Sequence, residues 1–203
     1  MKTKKLTFLL SLTFLFLFSG SSVVFGNDFQ DGVDAFNRKD HETAYNLLLP
    51  LAERGNAVAQ NLIGSSYSFG LGVPKDYKEA VKWYRLSVEQ GDYMGQVNLG
   101  MTYYFGWGVP KNYVEASKLW RMSAEQGSTE GQYLLGKIYR NGQGVPKDYV
   151  LAHMWWNICG STAKKDFVKK KDCVKNRKSL EKKMSPSQIE KAQEMARNWK
   201  PKK

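Results

Sequence analysis

The chain has 203 residues, 42% of them hydrophobic and 25% charged, enough apolar content to bury a real core in one domain or two. Its formal charge of +12 is unevenly placed: residues 27–160 carry 13 basic and 14 acidic side chains, residues 161–203 carry 15 and 5. That asymmetry excludes a nucleic-acid surface spread over the whole protein and confines the basicity to the C-terminal tail.

The N-terminus has the build of a secretory signal. "MKTKK" supplies a positive start, "LTFLLSLTFLFLF" an apolar run, and Val24-Phe25-Gly26 a cut after Gly26. The alternative is an uncleaved anchor, but residues 6–18 fall short of the roughly 20 apolar residues that a span needs. No cysteine stands near the cut, so no lipid anchor is expected. Residues 1–26 are read as a signal peptide and the mature protein as exported, periplasmic or secreted, with no stable membrane insertion.

Beyond it the sequence repeats with a period of 36. Gln60, Gln96 and Gln132 align, as do Gly64, Gly100 and Gly136, and Tyr67, Tyr103 and Tyr139. The loop Gly70-x-Gly72-Val73-Pro74 recurs at Gly106, Gly108 and Pro110, and again at Gly142, Gly144 and Pro146. The register also runs backwards: Asp40, Ala44, Glu53 and Gly55 lie 36 residues before Asp76, Ala80, Glu89 and Gly91. Residues 27–57 are therefore a degenerate unit without the glycine loop, as suits a terminal cap. Full repeats follow over 58–93, 94–129 and 130–163, and a Lys-rich helical cap over 164–203.

Each repeat reads as two helices. Gln60, Ile63, Gly64 and Tyr67 share one face of the first; Tyr77, Ala80, Val81, Tyr84, Ser87 and Val88 keep helical spacing in the second. Gly64, Ala80 and Ser87 are expected to let the backbones approach while aromatics fill the space beside them. One of Gly70 and Gly72 is expected to cap the first helix in the left-handed region, and Pro74 to force a turn. Asp76 with Glu79, and Asn112 with Glu115, are expected to form reciprocal capping boxes; Asp148 caps with Leu151 in the partner's place. Gly91 and Gly127 end the second helices. A phosphate-loop reading fails, because the glycines are not followed by GK[ST] and no strand precedes them.

The two histidines offer little chemistry. His41 stands where the other units carry Tyr77, Tyr113 and Tyr149, and reads as a packing residue. His153 lies on a second helix beside Met154 and Trp155. No catalytic, cofactor-binding or metal-ligating set is evident. Cys159 takes the small inward position of Ser87 and Ser123, with Cys173 one hairpin on. A bridge would tie the tail to the last repeat; two buried free thiols are the alternative. In the tail, Ser185-Pro186-x-Gln188 starts a helix, and its stripe Ile189, Ala192, Ala196 and Trp199 is expected to cover the open end.

The stretches "AQNLIGSSYSFGLGVPKDYKEAVKWY" and "EGQYLLGKIYRNGQGVPKDYVLAHMWW" resemble the Sel-1-like repeat family, relatives of the tetratricopeptide repeats, over roughly residues 31–163. The tail "KMSPSQIEKAQEMARNW" resembles the closing helix of bacterial members. The resemblance implies an all-α, right-handed α/α superhelical solenoid. It also implies a scaffold or adaptor for other proteins. The paired cysteines of the cysteine-rich subgroup are missing from each repeat.

Identical positions are spent on packing, so specificity should sit where the copies differ. Those positions include Asn61/Val97/Tyr133, Ser65/Met101/Lys137, Ser68/Tyr104/Arg140 and Leu71/Trp107/Gln143. Tyr104, Trp107, Tyr133, Arg140, Met101 and Lys137 are the partner-binding candidates, since large aromatics and Arg anchor interfaces. Alternatively Tyr133 packs on a neighbouring helix and Trp107 shields its loop. The expected function is a non-catalytic, exported scaffold that binds a protein or peptide, needs no cofactor and binds no nucleic acid. A cell-wall or antibiotic-directed hydrolase, and a polyanion or membrane-surface binder using the basic tail (against an acidic partner), are the alternatives.

Overall fold

The computed structural model describes residues 21–163 and 167–202. The apolar run behind the signal-peptide expectation lies outside them. The described residues form helices and no strand: α1 (Ser21–Asn37), α2 (His41–Glu53), α3 (Ala57–Phe69), α4 (Tyr77–Glu89) and α5 (Tyr93–Phe105), then α6 (Tyr113–Glu125), α7 (Thr129–Asn141), α8 (Tyr149–Thr162), α9 (Phe167–Glu181) and α10 (Pro186–Asn198). Consecutive helices pair as hairpins, and the hairpins stack into a right-handed solenoid. Helix α3 packs on α5 and α5 on α7, while no comparable contact joins α4 to α6. The first helices thus form the inner wall.

Both glycines of each loop are conformationally required. Gly70, Gly106 and Gly142 cap their helices at φ 72°, 79° and 71°; Gly72, Gly108 and Gly144 follow at 75°, 71° and 73°. The second glycine has a further constraint. A Cβ on Gly72, Gly108 or Gly144 would fall within 3.0 Å of the backbone of His41, Tyr77 or Tyr113. Each loop is therefore seated on the start of the preceding unit's second helix. His41 supplies that seat in the degenerate unit, and its ring meets Phe36 edge-on at 5.7 Å.

The helix glycines act differently from the expected backbone approach. A Cβ on Gly64, Gly100 or Gly136 would strike the ring of Tyr84, Trp120 or Trp156. The aromatic lies on the glycine rather than beside it. Trp120 and Trp156 also donate their indole N–H to the Val97 and Tyr133 carbonyls, at 3.0 and 3.1 Å. Buried glutamines stitch one unit to the next. Gln60, Gln96 and Gln132 donate to the Ala52, Gly91 and Ala124 carbonyls of the preceding unit, at 3.0, 3.4 and 3.4 Å, and within their own units accept from Gln90, Gln126 and Thr162 at 2.7, 3.0 and 3.1 Å.

The reciprocal capping boxes do not form. Asp76 accepts from the Lys78 and Glu79 N–H groups, as Asn112 does from Val114 and Glu115. The return bond is absent because the cap N–H is already used. Asp76, Asn112 and Asp148 donate theirs to the carbonyls of Tyr67, Tyr103 and Tyr139. Glu79 and Glu115 instead pair with Lys82 and Lys118. Helix α10 does make the full box, between Ser185 and Gln188.

The C-terminal end also departs from expectation. Helix α9, not α10, packs on α7 and α8 where another first helix would stand. Helix α10 packs on α8, burying Ala192 and setting Trp199 edge-on to Trp155 at 5.9 Å. The physical reason is α8 itself. Its residues Ala152 to Trp156 are all buried, and five consecutive buried residues wind more than once round a helix, so α8 needs cover on every side there. Cys159 and Cys173 are bridged, with their Cα atoms 6.0 Å apart, fixing α9 to α8.

Candidate functional site

The seams between first helices differ. Between α3 and α5, Asn98 donates to Asn61 at 2.8 Å, so short polar side chains close the seam, and Tyr84 of α4 donates to Ser65 beside it at 3.3 Å. Between α5 and α7 the same positions carry larger residues, and a cavity of about 240 Å³ opens. Helix α5 contributes Met101, Tyr104 and Phe105, one turn apart on one face. Helix α7 contributes Glu130, Tyr133, Leu134, Lys137 and Ile138 on its matching face, and Trp120 of α6 closes the floor.

The walls are held in place. Tyr104 packs against the rings of Phe105, Tyr113 and Trp120 at 4.9, 5.0 and 5.3 Å, and its hydroxyl donates to Gln143 at 3.1 Å. The Tyr133 ring is flanked by the ammonium groups of Lys137 at 5.6 Å and Lys169 at 4.5 Å. Lys169, from α9, also pairs with Glu130. The cavity therefore has an aromatic and aliphatic floor and a charged rim, with one wall braced by the tail. Such a site can bury an apolar side chain and orient the polar chain around it.

Four of the six candidate residues meet here: Met101, Tyr104, Tyr133 and Lys137. Trp107 does not. It stacks between Tyr77 and Phe105, at 5.4 and 4.5 Å, and shields its own loop. Arg140 lies at a separate cavity between the last repeat and α9. Sequence reasoning missed Phe105, Trp120, Glu130, Leu134 and Ile138. Phe105 had a usable signal: it precedes the cap glycine and is 51% exposed, and the third copy replaces it by Asn141.

His153 pairs through Nε2 with Glu181 at 2.9 Å, joining α8 to α9. Its imidazole is fully buried, and Nδ1 has no hydrogen-bond partner. Burial lowers its pKa from the ordinary 6.5, opposed by Glu181 and aided by Arg177. The contact joins two helices, with the imidazole closed to solvent. Among the described residues, no group of three His, Cys, Asp or Glu could hold a metal ion. No described helix is long and apolar enough to cross a membrane.

The family described as Sel1 repeat matches residues 57–92, 94–128 and 129–158. Among solved structures, the chain is similar to a protective antigen present in uropathogenic Escherichia coli strains that displays an SLR fold. That match has TM-score 0.76 and 30% identity, over 86% of this chain and 37% of the other. It is also similar to a Sel1 repeat protein from Oxalobacter formigenes, with TM-score 0.62 and 35% identity, over 67% of this chain and 56% of the other. The chain thus spans less than two thirds of either relative. No curated protein matches it.

Proposed function

The chain belongs to the Sel1 repeat family over residues 57–158, and on that premise we propose that it is an exported, non-catalytic scaffold that seats a partner polypeptide between α5 and α7. Sel1 repeat proteins serve generally as scaffolds for protein interaction. One observation carries the reading for this chain. Four of the side chains in which the copies differ, Met101, Tyr104, Tyr133 and Lys137, line one cavity, whereas the repeated glycines, glutamines and aromatics go to packing. An apolar residue of the partner fills the floor over Trp120, and Lys137 and Glu130 meet polar groups beside it. Export is supported by the Cys159–Cys173 bridge, since such bonds persist in oxidising compartments. The basic-then-apolar start and a structural relative described as a protective antigen point the same way.

The test is capture from a cell-envelope extract followed by affinity measurement on the protein captured. Tyr104→Ala/Tyr133→Ala should weaken binding by roughly 30-fold or more, the loss expected when at least one hot-spot residue is removed. Leu86→Ala, at an exposed position of α4 outside the cavity, should bind as the parent does. An unchanged affinity in the double variant would sink the groove reading, and recovery of the protein from the reducing cytosol would sink export.

A further inference from the structure

The cavity at Arg140 has a different chemistry from the groove. It encloses about 480 Å³ between the end of α7, the start of α8 and the outer half of α9. Three cations border it, Arg140, Lys147 and Lys183, and no carboxylate does. Among the described residues, none of the three makes an ion pair. The acidic neighbours in sequence are committed elsewhere: Asp148 caps α8 through the Leu151 N–H, and Glu181 holds His153.

Arg140 is oriented by neutral groups. Its guanidinium lies 5.7 Å from the Trp156 ring and donates to the amide oxygens of Asn141 at 3.1 Å and Asn176 at 3.5 Å. A positioned, half-buried Arg without an acid is a charge waiting for an anion. Lys147 sits 4.9 Å from the Tyr149 ring. That clip is not special, because Lys75 and Lys111 sit over Tyr77 and Tyr113 in the same way. What only the last repeat adds is Arg140, where the others carry Ser68 and Tyr104, and Lys183 from beyond α9. The field is felt at Tyr149. The hydrogen bond with Lys147 foremost, then the charges of Lys147, Lys183 and Arg140, hold its hydroxyl below the ordinary phenol pKa.

We propose that this cavity binds the phosphomonoester group of a small ligand or of a lipid headgroup, with Arg140, Lys147 and Lys183 as its cationic ligands. A carboxylate would bring one charge and two acceptor oxygens. A phosphomonoester brings close to two charges and three acceptors, the better match to three cations. The cavity exceeds a phosphate in size, and Asn176, Ser179 and the Tyr149 hydroxyl can hydrogen-bond hydroxyls on the ester side. The site needs α9 as a wall, and the Cys159–Cys173 bridge fixes that wall. Nothing in the proposal depends on the α5–α7 groove.

The probes are glycerol 3-phosphate in titration calorimetry, and vesicles of phosphatidylcholine with or without phosphatidic acid. Saturable binding of either phosphate-bearing probe is expected. Arg140→Gln should weaken it about tenfold or more, the loss of a charge-assisted contact. Should Arg140→Gln fail to fold, Lys147→Gln/Lys183→Gln at exposed positions gives the same reading. Lys171→Gln/Lys178→Gln, an equal charge change on the exposed side of α9, should bind as the parent does. Binding of glycerol 3-phosphate identifies a soluble ligand; binding only of phosphatidic acid vesicles identifies the headgroup. The proposal is overturned if neither probe binds, or if the cavity and control variants weaken binding equally.

Discussion

The repeat array and the C-terminal end solve the same problem, burying a helix face, by opposite means. In the array one set of contacts is used again every 36 residues: a glycine under an aromatic, a glycine on the preceding backbone, a glutamine donating to a carbonyl of the unit before. At the end nothing recurs. Helix α9 is held by a disulfide, by Glu181 on His153 and by Lys169 on Glu130, and α10 by the buried Ala192 and the Trp155–Trp199 ring pair. The first strategy needs small residues at fixed spacing and tolerates little change at them. The second needs a few strong single links, each of which can be cut by itself.

That contrast can be tested by breaking one link of each kind. The largest effect is expected from Gly108→Val, which forces a β-branched residue into the left-handed region and its Cβ onto the Tyr77 backbone. Strain and overpacking together should cost about 3–5 kcal/mol by urea unfolding. A loss below about 1 kcal/mol would mean that the seat yields. Next comes Cys159→Ser/Cys173→Ser. Closing a loop of this size, with the cysteines 14 positions apart, contributes about 3 kcal/mol. Hydrogen exchange should speed up in α9 and α10 while α3 to α6 keep their protection. Equal loss throughout would show that the array leans on its cap and erase the distinction drawn above.

The smallest effects separate the caps. Asp76→Ala and Asp148→Ala should each cost about 1 kcal/mol in thermal or urea unfolding. Glu79→Ala should cost no more than about 0.5 kcal/mol, because it removes only an exposed pair with Lys82. A Glu79→Ala loss equal to that of Asp76→Ala would restore the reciprocal box.

How much of this could be read from the letters depends on where each contact ends. The demand for positive φ at Gly72 is local, and the Gly-x-Gly-Val-Pro string states it. Its contact with His41 is not local; it involves a residue 31 positions earlier, visible only once the units are stacked. The capping boxes misled for the same reason. Asp-x-x-Glu is a local pattern, but the N–H it would use goes to Tyr67 across the loop. The α10 stripe was legible, while its destination depended on α8, whose run His153-Met154-Trp155-Trp156 is buried on every side, His153 against Glu181 of α9. Of the groove, positions differing between copies found Met101, Tyr104, Tyr133 and Lys137. They also named Trp107, because variation between copies cannot tell a residue that lines a cavity from one stacked between Tyr77 and Phe105.

The seating of each loop on the unit before it also bears on how such a chain can change length. Gly72 rests on His41, Gly108 on Tyr77 and Gly144 on Tyr113, always the same distance back along the chain. Deleting one residue from the second helix of a unit slides the next glycine off its seat and rotates the helix face it follows. Excising a whole unit between equivalent positions restores every seat, since what arrives is what left. The joints thus permit change by complete modules and penalise change by single residues, while the groove between α5 and α7 keeps its place beside α9, whose Lys169 braces Glu130 and Tyr133.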